Sequence, residues 1–328
     1  SIMKICVVGK LGNITHWMEH LVFAFDSMGH DTSIFSVKGI SLIERFNIKY
    51  GKIFCKNFSE FPAKLFLKHI RKHKPDIIFF TQAFKLPKGI YDVLSELKNK
   101  PICIGWVGDK FSKKDIPKVT PLDFIYFTDS GFFDLAVKNQ LSGQLGYLPL
   151  ACNPHYFRTQ LSYGERDKRL LFIAHASPHR EAILKQFNKT ALVVGPQWNK
   201  RNFNATPHFI KRKRRISPAN VAKYYGSHLA VINILNEEHA INNLSQRSFE
   251  PCAAGSIVVN EHTVDLERCF EIGKETLSFS NEEELNENFD RILADSKFAK
   301  NIAQAGKKRV LAEHTFAHRL QQTLDALK

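Results

Sequence analysis

At 328 residues the chain is long enough for two domains, and its apolar fraction of 44% is ordinary for a globular protein. No apolar run approaches the roughly 18–20 residues of a membrane span. The net charge of +15, concentrated in "KHIRKHK" (68–74) and "KRKRR" (211–215), is either a solvated basic face or a field for anionic lipid, phosphorylated small molecules or nucleic acid; with no zinc-finger spacing and no RNP-like aromatic motif, nucleic acid lacks a second signal.

"MKICVVG" (3–9) is a strand ending in glycine, "KLGN" (10–13) a loop, and "ITHWMEHLVFAFDSMGH" (14–30) a helix that stops at Gly29. "DTSIFSV" (31–37) completes a βαβ unit, which requires a parallel sheet. The alternation continues with a helix near 60–73, a strand at 76–80, a helix near 88–98, and strands at 102–107 and 124–128. "YLPLACNPHYF" (147–157), with two prolines, suits a linker.

The alternation then restarts. Strands are predicted at 169–174, 191–195, 229–233, 256–260 and 276–280, with helices at 178–188, 217–226 and near 243–254, and helices fill 281–327. Ser217 caps a helix with Pro218 at its first position, and "SNEEEL" (280–285) caps another with acidic residues in the first turn. The fold class is therefore α/β, with two doubly wound Rossmann-like domains. The boundaries fall at 1–150, 151–310 and 311–328, the last a helix returning to the first domain. Ligands of such sheets lie at the carboxyl ends of the strands, and two facing edges make an interdomain cleft.

Several chemistries are excluded by missing patterns. There is no P-loop, "GKLG" is not a dinucleotide fingerprint, and no nucleophile elbow appears. His16 and His20 lie one turn apart in "HWMEH", without the H-E-x-x-H order of a zinc site. The six cysteines are scattered, with no C-x-x-C, which fits reduced thiols in a cytoplasm.

What remains gathers after the second domain's strands: "IAHASPHR" (173–180), "GPQW" (195–198), "VINILNEEHAINN" (231–243) and "RSFEPCAAGSIVVNE" (247–261). Arg180 near a helix start has the elements of a phosphate site. Arg247 and Glu250, three apart, are either a helix-surface ion pair or a ligand clamp, with Glu250 facing a solvent-filled cleft in the second case.

The ordered series "FIA…HR" (172–180), "GPQW" (195–198), "VAKYYGSHLAVINIL" (221–235), "RSFEPCAAG" (247–255), "SNEEEL" (280–285) and "RVLAEHTFAHR" (309–319) resembles the CgeB-like (spore maturation type) glycosyltransferases, within the group-1 glycosyltransferases of GT-B fold. The resemblance covers about residues 147–328 and is weaker over 3–128. It implies a hexosyltransferase, with a nucleoside diphosphate sugar as co-substrate and with neither metal nor cofactor. Glu250 would accept from the ribose hydroxyls, Arg180 would serve the diphosphate, Arg247 would sit near the phosphates or brace Glu250, and the chain at Ile216 would read the base. Gly195, Trp198, Tyr225, Asn233 and Ser248 would complete the donor side.

From the first domain, Lys10, Gly12, Asn13 and His16 would face the cleft. Asp109, a general base or acceptor-orienting group if not a loop cap, and His16 are the catalytic candidates. The acceptor would be a glycan, a glycolipid or a protein, with the basic patches offering peripheral contact at the inner face of a membrane. Three positions depart from the pattern: Ala174-His175 for glycine, Pro251 for alanine, and Asn242 where a first carboxylate pairs with Glu250. The alternatives are a non-catalytic nucleotide or sugar binder and, last, a nucleic-acid glycosylating enzyme.

Overall fold

The structure is a computed structural model that describes residues 1–12, 16–39, 60–87, 89–198, 209–212, 216–236 and 240–328. Asn13, Cys55 and the last three residues of "KRKRR" lie outside these. The chain divides into one unit of Ser1–Pro149 with Leu320–Lys328 and a second of Leu150–Arg319.

The first unit is built on a six-stranded parallel sheet of β1 (Lys4–Gly9), β2 (Asp31–Ser36), β3 (Ile77–Thr81), β4 (Ile102–Val107), β5 (Phe124–Phe127) and β6 (Gln144–Tyr147), in the order β2-β1-β3-β4-β5-β6. The inner strands read as continuous apolar runs because both faces are covered. Phe66 and Ile70, from the helix Glu60–His73, pack with Phe35 and Phe80 in one such layer. The chain leaves β1 for β2 on one flank and returns with β3 on the other. At that reversal the connecting loops diverge, which opens a crevice outside the carboxyl ends of the strands.

The second unit repeats the plan with β7 (Leu170–Ile173), β8 (Ala191–Gly195), β9 (Phe209–Arg212), β10 (Ala230–Asn233), β11 (Ile257–Glu261) and β12 (Leu277–Phe279). All pairs are parallel and the order is β12-β11-β10-β7-β8-β9. Its reversal falls between β7 and β10. Ser217 and Asn281 cap their helices by accepting from Asn220 N–H at 3.2 Å and Glu284 N–H at 2.9 Å.

The structure corrects several predicted elements. The helix predicted near 88–98 is a short 3-10 turn, Asp92–Glu96, and another, Ala83–Lys85, precedes it. Ser95 Oγ donates to Asp92 O at 2.7 Å, a side-chain competitor for the helical ladder. The helix predicted near 243–254 is a 3-10 turn, Gln246–Ser248, followed by Glu250–Ala253. Pro251 lies in that helix's first turn, where a missing N–H costs nothing. The edge strands β6 and β9 and the helix Ser130–Lys138 were not predicted.

Candidate functional site

In the second unit the site's frame is tied across the β7/β10 reversal. Ser177 caps the helix Pro178–Gln186 and accepts from Arg180 N–H at 3.2 Å. The Arg180 side chain then turns inward and is 0% exposed. Nη1 donates to His175 O at 3.1 Å, while Nε and Nη2 each donate to Ile234 O at 3.3 Å. One guanidinium thus joins the loops after β7 and β10. Burial, with Arg247 nearby, pushes its pKa down to about 9, against the opposing pull of Glu261. The resemblance gave Arg180 to the diphosphate; its donors are instead committed to loop carbonyls, and it positions the site. Glu261, at the end of β11, adds a second tie: it accepts from Leu235 N–H at 2.9 Å and pairs with His179 Nε2 at 2.7 Å. The sequence reading missed this pair.

"GPQW" is also a packing device. A Cβ at Gly195 would run into the Ala174 carbonyl, 2.7 Å from its carbon. Trp198, fully buried, donates its indole N–H to the same Ala174 O at 2.8 Å. Both hold the Ala174 carbonyl, a packing role where the resemblance implied contact with the donor. Asn233 and Ser248 are likewise buried and satisfied. Asn233 Nδ2 donates to Ser248 Oγ at 2.8 Å and to Asn260 Oδ1 at 3.1 Å, and its Oδ1 accepts from Ser245 Oγ at 3.0 Å. Their network fixes β10 against β11 and the segment that follows Ser245. Trp198→Phe keeps most of the packing but orphans a buried carbonyl. Denaturant unfolding is expected to show a loss of about 1–2 kcal/mol, with nucleotide affinity unchanged by calorimetry.

The remaining donor-side residues form a different kind of group. Ser245 Oγ accepts from Arg247 N–H at 3.2 Å and sets the turn that carries Arg247 and Glu250. Gly255, at φ +85°, ends the helix after them in the left-handed conformation. Glu250 is only 7% exposed, so it does not face open solvent. Among the described residues its carboxyl group has neither hydrogen bond nor ion pair. Burial pushes its pKa up to about 8, against the opposing charge of Arg247. Arg247 Nε is buried with no partner among the described residues, and burial lowers that group's pKa in turn. Tyr225 is buried beside both, and its hydroxyl is pushed up by burial and by Glu250. Ile216 is half-buried, immediately before the Ser217 cap. The arrangement is not a helix-surface ion pair: Glu250 is buried and Arg247 half-buried, and among the described residues the two groups interact electrostatically without an ion pair.

That arrangement has a signature of its own. A carboxyl group held at about 8 when folded and 4.5 when exposed contributes stability fully only below the lower value. The contribution is lost as pH rises through about 8. Glu250→Gln, neutral at every pH, is expected to melt near the wild type at about pH 4–5 and above it at about pH 8. Even ~2 kcal/mol would separate the melting temperatures by roughly 4–8 °C. Parallel melting curves across that range would contradict the buried, neutral carboxyl.

In the first unit a cavity of about 280 Å³ opens at the β1/β3 reversal, lined by residues that include Lys10, Trp17, Lys38, Gln82, Lys85 and Asp109. The Asp109 carboxylate is paired with Lys85 and also accepts Lys110 N–H at 3.0 Å. Gly12 N–H donates to Glu19 Oε1 at 2.8 Å, and His16 Nδ1 lies 3.8 Å from that oxygen. Gly12, His16 and Glu19 therefore brace the loop, and His16 does not line the cavity among the described residues. Lys38, Gln82 and Lys85 were missed, although each follows closely on a strand end.

The molecule has the GT-B fold of glycosyltransferases, shown by its likeness to solved structures. The glycosyltransferase from Rickettsia africae ESF-5 is 13% identical with a TM-score of 0.71, over 99% of this chain and 98% of that one. HepE of Anabaena, solved with UDP and glucose, is 13% identical with a TM-score of 0.69, over 99% of each chain. An alpha-glucosyltransferase solved with UDP-glucose and DNA containing an abasic site is 12% identical with a TM-score of 0.72, over 99% of each. Residues 171–325 match the family described as glycosyl transferase-like. No curated protein matches the chain. Among the described residues no helix is long and apolar enough to cross a membrane.

Proposed function

We propose that the protein is a hexosyltransferase of the CgeB-like type, which moves a sugar from a nucleoside diphosphate to an acceptor held by the first unit. The observation that carries this is the buried Glu250 carboxyl and the buried Arg247 Nε at the second unit's ligand edge, neither of which has a partner among the described residues. Leaving such groups unsatisfied costs on the order of 1–3 kcal/mol each, more when charged. A nucleoside diphosphate supplies what both lack. Its ribose hydroxyls donate to Glu250, and its phosphates accept from Arg247. The family match over residues 171–325 and the UDP and UDP-glucose held by two of the similar structures support the same ligand class.

Transfer then rests on positioning and on stabilising the departing diphosphate, through Arg247 and the N–H groups at the start of the helix Pro178–Gln186. Arg180 acts indirectly by holding the two loops. Asp109 orients the acceptor, with Lys85 holding its carboxylate in place. No divalent metal is required in this reading. The five free, buried thiols among the described residues suit the cytoplasm.

A panel of nucleoside diphosphate sugars, incubated with the protein in a chelator and assayed for released nucleotide, tests this. Slow hydrolysis of one donor, absent in Glu250→Ala, is expected. Binding without release would favour a non-catalytic binder, which Asn242 at the place of a first carboxylate motivates. Neither binding nor release would end the reading.

A further inference from the structure

The first unit's cavity is chemically one-sided. Three lysines line it, Lys10, Lys38 and Lys85, against one carboxylate, Asp109. Lys85 is committed to Asp109. The side chains of Lys10 and Lys38 have neither hydrogen bond nor ion pair among the described residues. Lys10 is also the group whose ammonium is destabilised, by burial and then by the charges of Lys38 and Lys85. Two like charges thus converge on one space in which, among the described residues, the one carboxylate is already paired with Lys85.

The other polar lining adds donors. Gln82 Oε1 already accepts from Gly108 N–H at 3.2 Å, which leaves its NH₂ for a ligand. Thr81 Oγ1 is spent on Val8 O at 3.1 Å. Trp17 contributes an apolar wall. Gln82 sits at φ +49°, a conformation that costs a non-glycine residue energy and is retained where the surroundings enforce it. Here it turns the chain just past β3 so that the amide meets the cavity.

The uncompensated charge fixes the ligand class. A phosphate monoester carries about −1.5 to −2 at neutral pH, with three acceptor oxygens. That matches the ammonium groups of Lys10 and Lys38 and the Gln82 amide, where a single carboxylate would leave one lysine unanswered. The volume of about 280 Å³ is at the small end for ligand sites and suits a phosphorylated monosaccharide. We infer that this cavity binds a phosphate monoester between Lys10 and Lys38, so that the acceptor of the proposed transfer is a phosphorylated one. The word acceptor rests on the glycosyltransferase reading; the anion site does not.

Calorimetric titration of the full chain with glucose 6-phosphate, and with glucose as the uncharged control, tests it. Sedimentation with phosphatidylcholine vesicles, with and without phosphatidic acid, tells a soluble monoester from a lipid headgroup. The expected result is that one of these phosphates binds and its uncharged counterpart does not. Binding should weaken at least tenfold in the Lys10→Gln/Lys38→Gln double variant, while UDP affinity and melting temperature hold. If neither phosphate source binds, the inference is overturned. An equal loss of UDP affinity in the double variant overturns it too, because the lysines would then serve the donor. If UDP fails to bind the wild type while glucose 6-phosphate binds through the lysines, the transferase reading fails and the anion site stands.

Discussion

Glu250→Ala is expected to weaken UDP binding by roughly 10- to 100-fold while leaving the protein folded. A hydrogen bond to a charged group contributes about 1.5–3 kcal/mol, which corresponds to that range of affinity. The fold should survive because no group among the described residues depends on the carboxyl, and its removal relieves a buried titratable group. Glu250→Gln should be milder, since an amide oxygen still accepts from a hydroxyl. Arg247→Ala should also weaken UDP. A merely structural pair would behave differently, with small and similar stability losses for Arg247→Ala and Glu250→Ala and unchanged affinity. Calorimetry and thermal melts on the two single variants separate these outcomes.

The largest stability effect is expected from Gly195→Ala, one methyl group at the end of β8. The new Cβ would meet backbone, the carbonyl of Ala174, and backbone there cannot swing aside as a side-chain tip can. The same carbonyl is pinned by the Trp198 indole, and the strands behind it are held in register by Ile173 against Val194. Gly195 also sits at φ +149°, where an L side chain is strained. We expect a loss of about 3 kcal/mol or more, with a fall in melting temperature of roughly 6–12 °C. Gly164→Ala, with no atom within 4 Å of the added Cβ, is the control and should be close to neutral. A Gly195→Ala protein that melts with the wild type would show that the Ala174 loop is not fixed as described.

How much was legible follows from where the information resides. "CVVG", "IIFF", "LLFI" and "IVVN" read as strands because a parallel sheet covered on both faces demands unbroken apolar runs. "QLGY" and "FIKR" gave no such signal because edge strands have a neighbour on one side only. Arg247 and Glu250 stood out locally as opposite charges on a small-residue segment. Their burial did not, because it depends on residues far along the chain, such as Tyr225. "GPQW" looked like a ligand loop, yet its glycine and tryptophan both serve one carbonyl some twenty residues earlier. Lys38 and Lys85 were two lysines among many until the β1/β3 reversal brought them to one cavity.

The most direct test of the clamp is the proton count on binding. With the Glu250 carboxyl held near pH 8 in the free protein, a ligand that donates hydroxyls to it stabilises the ionised form and displaces a proton. UDP titrations at about pH 7 in two buffers of different ionisation enthalpy measure that proton. The expected result is release of up to one proton by the wild type beyond that of Glu250→Gln. UDP affinity should rise by up to about tenfold per pH unit until the pH passes the carboxyl's own value. Equal proton counts and equal affinities in the two proteins would contradict the account.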